Sequence, residues 1–213
     1  MPDKINCALY LPNEILAIVI NQLASNNAET LAALASCRLA SYTLCSLATP
    51  LFFSSITLTD YAGPETDHSI LVKRVTRLNK ILSVYNIAAT VHTLTLRCHY
   101  KTFRNSISGT HMSAILHRLP HIRNFTLKVD GKRRRLSFPS IPEDLGSAIL
   151  ALCRSPNLTA LCLDNVEYFP FTAITACPNL RYLRLWHVDE LRVDFFFFVV
   201  SATTHPIYSS LTT

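Results

Sequence analysis

The sequence predicts an α/β protein in which a small all-α helical module is followed by a short solenoid of parallel strands with intervening helices. Three observations lead to this prediction. Apolar residues recur with helical spacing through the first fifty residues. A break containing Gly and Pro follows near residue 61. From residue 91 a six-residue apolar pattern returns four times, and such repetition is typical of stacked strand–helix units.

The first predicted helix begins at Pro12, whose missing N–H costs nothing in a first turn, and Glu14 complements the positive end of the helix dipole. One apolar stripe with i, i+4 spacing is expected to face the core: Ile15, Leu16, Val19, Ile20 and Leu23. Leu11 precedes the helix and Ile18 lies off the stripe. These two side chains are therefore candidates for exposed apolar groups.

Two further helices complete the predicted module. Asn26, with Glu29 three residues later, reads as a capping box for the second helix. The apolar body of that helix is Leu31, Leu34, Ala35 and Leu39. A third helix is expected from Ser41 to Ala48 and ends at Pro50, because proline lacks the N–H that a helix interior needs. The alternating segment 56–58 predicts a strand at the end of the module, which is assigned to residues 1–60.

The second predicted domain covers residues 61–194 and opens with the break Tyr61-Ala62-Gly63-Pro64. Asp67 is expected to cap a helix with a 3.6-residue apolar period, at Leu71, Val75, Leu78, Leu82 and Tyr85. Residues 195–213 form an irregular tail that begins with four consecutive Phe. An end repeat needs a polar outer face, so this run indicates either a shortened chain or a tail that packs back onto the core.

Four segments share the pattern apolar-x-x-apolar-x-Leu, and they cover residues 91–96, 122–127, 158–163 and 180–185. Their central apolar residues are Leu94, Phe125, Leu161 and Leu183, at separations of 31, 36 and 22 residues. Helices are expected between the segments at 112–119 and 143–153, with a short turn at 172–177. Stacking such strand–helix units buries one continuous core and places parallel strands side by side.

In each predicted strand the Leu-type positions point into the core and the intervening residues point outward. The outward face is polar and partly basic, and it ends in the only Trp of the chain. Its members are Thr93, Thr95, Arg97, Asn124, Thr126, Lys128, Ala160, Cys162, Asp164, Tyr182, Arg184 and Trp186.

Composition excludes several classes of protein. Of 213 residues, 49% are hydrophobic and 16% charged, which is too apolar for a disordered chain. No window approaches the roughly 20 uninterrupted apolar residues that a membrane-spanning helix requires, so no membrane partner is expected. The net charge of +6 includes the run Lys132 to Arg135, which follows the turn residues Asp130-Gly131. This run is either a solvated loop, a nuclear-import signal or a nucleic-acid patch.

The seven cysteines are odd in number and lack C-x-x-C spacing, which favours a reducing cytoplasm or nucleus. His117 and His121 have i, i+4 spacing, but Pro120 between them would end the helix that a two-His metal site needs. No G-x-S-x-G, P-loop or G-x-G-x-x-G motif is present. The sequence therefore predicts no catalytic residues, no metal and no cofactor, and a protein that is not an enzyme.

Residues 11–58 contain three groups of residues that together form a recognisable motif: Leu11-Pro12-x-Glu14-Ile15-Leu16; Leu23, Thr30-Leu31, Leu34, Cys37 and Leu39; and the closing Leu47-Ala48-x-Pro50-Leu51-Phe52 with Ile56-x-Leu58. On these residues the segment resembles an F-box, the adaptor-binding module of SCF-type ubiquitin ligases, in the form found in fungi. Tyr42-Thr43-Leu44 stands where the family usually has an aromatic step into its third helix. The segments from 91 to 188 resemble the leucine-rich repeats of the same proteins, although Val166 and Val188 stand where an Asn ladder is often seen.

The resemblance implies a substrate receptor in the cytoplasm or nucleus that has no catalytic chemistry of its own. Its helical module would bind a Skp-type adaptor, and its repeats would hold an unidentified protein substrate. The implied adaptor contacts are Leu11, Pro12, Ile15, Leu16, Ile18, Leu34, Leu39 and Leu44. The implied substrate contacts are Arg97, Lys128, Tyr182, Arg184 and Trp186.

Two alternatives remain open. In the second hypothesis, the chain is a repeat-based scaffold that binds a partner protein without recruiting a ligase. The presence of Leu44 where the family has an aromatic residue favours this hypothesis slightly. A third hypothesis places a nucleic acid on Lys132 to Arg135 together with Lys128. No aromatic residue interleaves that basic run, so nucleic acid ranks below a protein partner.

Overall fold

The computed structural model of the chain describes residues 12–23, 28–60, 68–85, 87–130 and 135–187. The chain divides into two compact units, residues 1–54 and 55–213. The predicted α/β class is confirmed, because the described residues combine helices with a parallel sheet. The boundary lies after Ser54 and not after residue 60 as the sequence suggested.

In its described residues, the first unit has three helices: α1 (Asn13–Gln22), α2 (Ala28–Ala40) and α3 (Tyr42–Phe52). Ser41 separates α2 from α3 and caps α3, because its Oγ accepts a hydrogen bond of 3.2 Å from the N–H of Leu44. The buried core residues are Ile20, Leu34 and Ala48. Partly buried side chains pack around them: Leu23, Cys37, Leu44, Leu47, Leu51 and Phe52.

Helix α3 continues through Pro50 to Phe52, so the predicted end at Pro50 was wrong. Proline in a final turn removes only one helical hydrogen bond, and the side chain of Arg38 supports this turn from α2. Its Nε donates to the Thr49 hydroxyl at 3.1 Å, and its guanidinium lies 4.8 Å from the ring centre of Phe52. The proposed cap residue Asn26 lies outside the described residues, whereas Glu29 is in the first turn of α2.

The second unit is built on a five-stranded parallel sheet in the order β1-β2-β3-β5-β7. Its strands are β1 (Ser55–Thr59), β2 (Thr93–His99), β3 (Asn124–Asp130), β5 (Ala160–Asp164) and β7 (Tyr182–Trp186). The central apolar residues of the four repeats align across the sheet, since Leu94 pairs with Phe125, Phe125 with Leu161, and Leu161 with Leu183. The predicted parallel pairing of these strands and the inward orientation of their Leu-type residues are therefore confirmed.

Strand β1 corrects the assignment of segment 56–58 to the helical module, because Ile56 pairs with Leu94 in this sheet. The buried carboxylate of Asp60 fixes the end of β1 to the next repeat. Its Oδ2 accepts a 2.9 Å hydrogen bond from the N–H of His99 and another from the hydroxyl of Thr102. Because a buried carboxylate is costly without hydrogen-bond donors, these two bonds hold the end of β1 against the end of β2 and the residues that follow it.

Four helices of eighteen, thirteen, eleven and five residues alternate with the strands. They are α4 (His68–Tyr85), α6 (Ser106–Arg118), α7 (Glu143–Cys153) and α8 (Phe171–Thr175), and a one-turn α5 (Tyr100–Arg104) precedes α6. The predicted seam of α4 is buried at Leu71, Val75, Leu78 and Leu82. Asp67 and the side chain of Tyr85 lie outside the described set.

Helix α7 has the predicted bounds, whereas α6 begins six residues earlier than predicted. Its first turns contain Ser106, Ser108, Gly109 and Thr110, which show no apolar period. Asn105 caps this helix, because its Oδ1 accepts a 3.1 Å hydrogen bond from the N–H of Ser108. The short α8 lies at 171–175 instead of 172–177.

Side-chain amides join successive repeats. The Nδ2 of Asn157 donates to the carbonyl of Pro120 at 3.0 Å, and the Nδ2 of Asn179 donates to the carbonyl of Pro156 at 2.7 Å. The pair Pro156-Asn157 therefore both accepts a bond from the following repeat and donates one to the preceding repeat. Asn165, which has a φ of 60°, donates in the same way to the carbonyl of Val129 at 3.0 Å.

A second sheet of two parallel strands was not predicted. It pairs β4 (Leu136–Ser137) with β6 (Val166–Glu167), and the rings of Phe138 and Phe169 meet edge to face beside it at 4.8 Å. Strands of two residues carry no period, so no sequence pattern announces them. Among the described helices, none combines the length and apolarity needed to cross a bilayer.

Candidate interaction surfaces

Helix α1 presents an exposed apolar face in the first unit. Ile15, Ile18 and Val19 are 44%, 57% and 52% exposed, and their i, i+3, i+4 spacing places them on one side of the helix. Ile20 on the other side is buried in the core, and Leu16 and Leu23 are half-buried. We call Ile15, Ile18 and Val19 the α1 apolar face. Adjacent exposed apolar groups of this kind mark interaction sites.

The α1 apolar face revises the predicted stripe. Ile15 and Val19 were expected to pack inward with Ile20, but they lie outward with Ile18. Six apolar residues between positions 15 and 23 exceed what one helical face can bury, so the helix divides them between two faces.

The remaining predicted adaptor contacts have mixed locations. Pro12 and Leu39 are exposed, and Leu39 is 90% exposed together with Tyr42 across the turn between α2 and α3. Leu34 is only 1% exposed and belongs to the core of the unit, so its prediction as a surface contact was wrong. Leu44 is half-buried against the same core. Leu11 lies outside the described residues.

The second unit exposes one face of its sheet. Parallel sheets are ordinarily covered on both faces, but here the side chains on the face away from the buried leucines are mostly polar, and all of them except Asp164 are partly or fully exposed. We call this the open sheet face. The register arranges it in rows, one of which runs from Arg97 to Lys128, Asp164 and Trp186 on neighbouring strands.

Ion pairs cross the open sheet face. The Nε of Arg97 donates to the two carboxylate oxygens of Asp130 at 2.9 and 3.1 Å. The Nζ of Lys128 lies 2.8 Å from Oδ2 of Asp164, and Nδ1 of His187 lies 3.5 Å from Oδ1 of the same carboxylate. Asp164 is therefore buried beneath its partners, although the sequence placed it on an exposed face. Arg97 and Lys128 are both paired.

The edge strand β7 carries a different group. Tyr182, Arg184 and Trp186 alternate along it on the open sheet face, and all three are exposed. The guanidinium carbon of Arg184 lies 3.7 Å from the centre of the Trp186 ring, which is a cation–π contact. We call these three residues the β7 triad. Trp, Tyr and Arg are the residue types that dominate binding energy at protein interfaces.

All five predicted substrate contacts thus lie on one face of one sheet. Sequence reasoning missed His187, whose left-handed φ of 50° follows directly on β7. It also missed Asn165, whose side-chain amide bonds to the carbonyl of Val129 on a neighbouring repeat. The Asn ladder of leucine-rich repeats would place such a residue one position later, where this chain has Val166. Val188 lies outside the described residues. Of the basic run, Lys132 to Arg134 also lie outside them, and Arg135 lies 3.6 Å from Glu167.

The cysteines of the second unit do not form an activated nucleophile on the open sheet face. Burial raises the pKa of Cys162, the one cysteine on that face, and raises the pKa of buried Cys98 still further. A hydrogen bond to Cys177 raises the pKa of the Cys153 thiol and lowers that of Cys177, but both side chains are buried. In the described part of the chain, no group of three His, Cys, Asp or Glu side chains is arranged to hold a metal ion.

No family model, curated protein or solved structure matches this chain.

Proposed function

We propose that the chain is the substrate-receptor subunit of an SCF-type ubiquitin ligase. The helical unit binds a Skp-type adaptor, and the repeat unit holds a protein substrate on the open sheet face. The observation that carries this proposal is the α1 apolar face. Three apolar side chains, each about half-exposed, stand together on a helix whose other side already packs on the core of a small unit.

The locations of the predicted contacts refine the adaptor site. Pro12, Ile15 and Ile18 remain candidates, and Val19 joins them. Leu34 is no longer proposed as an adaptor contact, because it is buried in the unit's own core and cannot contact a partner. Leu39, with Tyr42, forms a separate exposed apolar pair at the turn between α2 and α3.

The β7 triad is the best-defined substrate contact. Arg97 and Lys128 already hold carboxylates of this chain, so a partner would have to break those pairs to use them. The Arg184 guanidinium rests on an aromatic ring and has no carboxylate partner among the described residues. It is preorganised to meet a carboxylate of a substrate, because stacking fixes its plane without using its N–H donors.

Adaptor binding is tested by coexpressing the chain with a Skp-type adaptor and measuring copurification and affinity. Replacing Ile15 and Ile18 with Glu places two charges in the proposed interface and should weaken binding by at least about 100-fold, since unpaired buried charges cost several kcal/mol. The matched control replaces Asn13 and Asn21 with Glu on the exposed sides of the same helix. The control should bind like the wild type.

The competing function is a repeat-based scaffold without a ligase. The inward packing of Leu44, at a position that the family gives to an aromatic contact, favours this alternative. In that case the wild-type chain fails to bind the adaptor, while Arg184→Ala and Trp186→Ala still abolish capture of a partner protein. Equal adaptor binding by the Ile15→Glu/Ile18→Glu variant and its control would remove the role of the α1 apolar face.

A further inference from the structure

The charge of the chain is unevenly distributed along the sequence. Ten of its twenty Lys and Arg lie between residues 68 and 129, and none of its fourteen Asp and Glu does. This segment spans α4 to β3 in the second unit. The remaining residues carry more acids than bases, so the overall charge of +6 conceals a strongly cationic region.

Helix α4 concentrates this charge in a straight row. Lys73, Arg77 and Lys80 have i, i+4, i+7 spacing and, at 3.6 residues per turn, fall within about 60° of one another around the helix. The buried seam of Leu71 to Leu82 lies on the opposite side. All three cations are therefore exposed and point away from the sheet.

Helix α6 adds a fourth cation to the same surface. Nη1 of Arg118 donates to the carbonyl of Asn79 at 3.1 Å and to the hydroxyl of Ser83 at 2.7 Å. These bonds hold the guanidinium beside the turn of α4 that carries Lys80. We call Lys73, Arg77, Lys80 and Arg118 the basic helical face.

No described carboxylate forms an ion pair with a member of the basic helical face. Glu143 and Asp144 begin α7, and Asp144 accepts a 3.3 Å hydrogen bond from Thr110, about two turns before Arg118 on α6. Among the side chains of α4 that the structure describes, the exposed ones are all polar or basic: Ser69, Lys73, Arg74, Thr76, Arg77, Lys80 and Ser83. Four neighbouring cations that pair with no described carboxylate repel one another, and a bound anion would offset this repulsion.

We infer that the basic helical face binds the phosphate backbone of a nucleic-acid duplex without reading its sequence. A linear row of cations matches a regular line of phosphates. None of the exposed side chains described on α4 is apolar, which disfavours insertion into a lipid surface and a protein interface with an apolar centre. None of the exposed side chains described on this helix is aromatic, which disfavours stacking on single strands. This surface is separate from Lys132 to Arg135 and from the open sheet face.

The experiment measures binding of the full chain to duplex DNA and duplex RNA of roughly 20 base pairs by fluorescence anisotropy as a function of salt. Four phosphate contacts predict a slope of log affinity against log salt of about −3.6 and a loss of roughly 150-fold between about 50 and 200 mM. In the Lys73→Gln/Arg77→Gln/Lys80→Gln variant, the slope should fall to about −0.9.

The matched control is Arg123→Gln/Arg154→Gln/Arg181→Gln, which removes three exposed arginines elsewhere in the same unit and changes the net charge equally. It should keep the wild-type slope. Equal slopes for the two triple variants, or no duplex binding by the wild-type chain at low salt, would overturn the inference. So would stronger binding through this face to phosphatidylserine-containing vesicles or to poly-glutamate than to either duplex.

Discussion

Replacing Gly109 with Ala tests the close approach of α6 to α7. A Cβ at this position would lie 2.8 Å from Cγ and 2.9 Å from Cβ of Pro142, well inside van der Waals contact. The proline ring is rigid and stands directly before α7, so the two helices must separate to admit the methyl group. Overpacking of this kind costs about 1–3 kcal/mol, and the better helix propensity of Ala returns about 1 kcal/mol. We expect a net loss of about 1 kcal/mol.

Gly146 in α7 provides the matched control, because a Cβ there meets no atom within 4 Å. Gly146→Ala should therefore stabilise the unit by about 1 kcal/mol, the propensity gain alone. The assay is urea unfolding followed by the fluorescence of Trp186, the single Trp, which reports on the repeat sheet. The reasoning is refuted if Gly109→Ala is as stable as Gly146→Ala.

Two further predictions concern the core of each unit. Leu34→Ala should destabilise the helical unit by about 2–5 kcal/mol, whereas Leu39→Ala should change its stability by less than about 0.5 kcal/mol. Hydrogen exchange of the α2 and α3 amides measures the stability of both variants. Similar losses of stability in the two variants would contradict the assignment of Leu34 to the core. In the repeat unit, burial raises the pKa of Cys98 above its ordinary value of 9.0, so the unfolded chain loses this proton at lower pH than the folded chain. Stability should therefore fall as pH rises above about 9, and the fall should be smaller in Cys98→Ala; a stability that rises with pH over this range would exclude the effect.

Periodic apolar patterns made the repeat unit predictable in detail. The Leu-x-Leu alternation determined which side chains face the core, and a one-residue error would have inverted every strand. The seam of α4 and the bounds of α7 followed from 3.6-residue spacing for the same reason. The β7 triad was located by this argument alone, because Tyr182, Arg184 and Trp186 alternate with Leu183 and Leu185.

The failures came where one pattern permits two arrangements. The apolar residues of α1 define a helix but not which of them meet α3, so Ile15 and Val19 were placed in the core. The alternating pattern of segment 56–58 predicts a strand but does not determine which strand it pairs with. The pairing of Ile56 with Leu94 in the structure assigns the segment to the repeats. Burial of Asp164 depends on Lys128 from another strand, a contact that local sequence does not contain.

The bond from an Asn amide to the carbonyl of the Pro one repeat earlier has a consequence for how such a chain grows. It spans 37 residues in one case and 23 in the other, so its geometry is indifferent to the length of the loop and helix in between. The pair Pro156-Asn157 receives a bond from the following unit through Pro156 and gives one to the preceding unit through Asn157. A duplicated copy of one unit inherits both halves of this joint, and tandem duplication can lengthen the array without inventing a new contact.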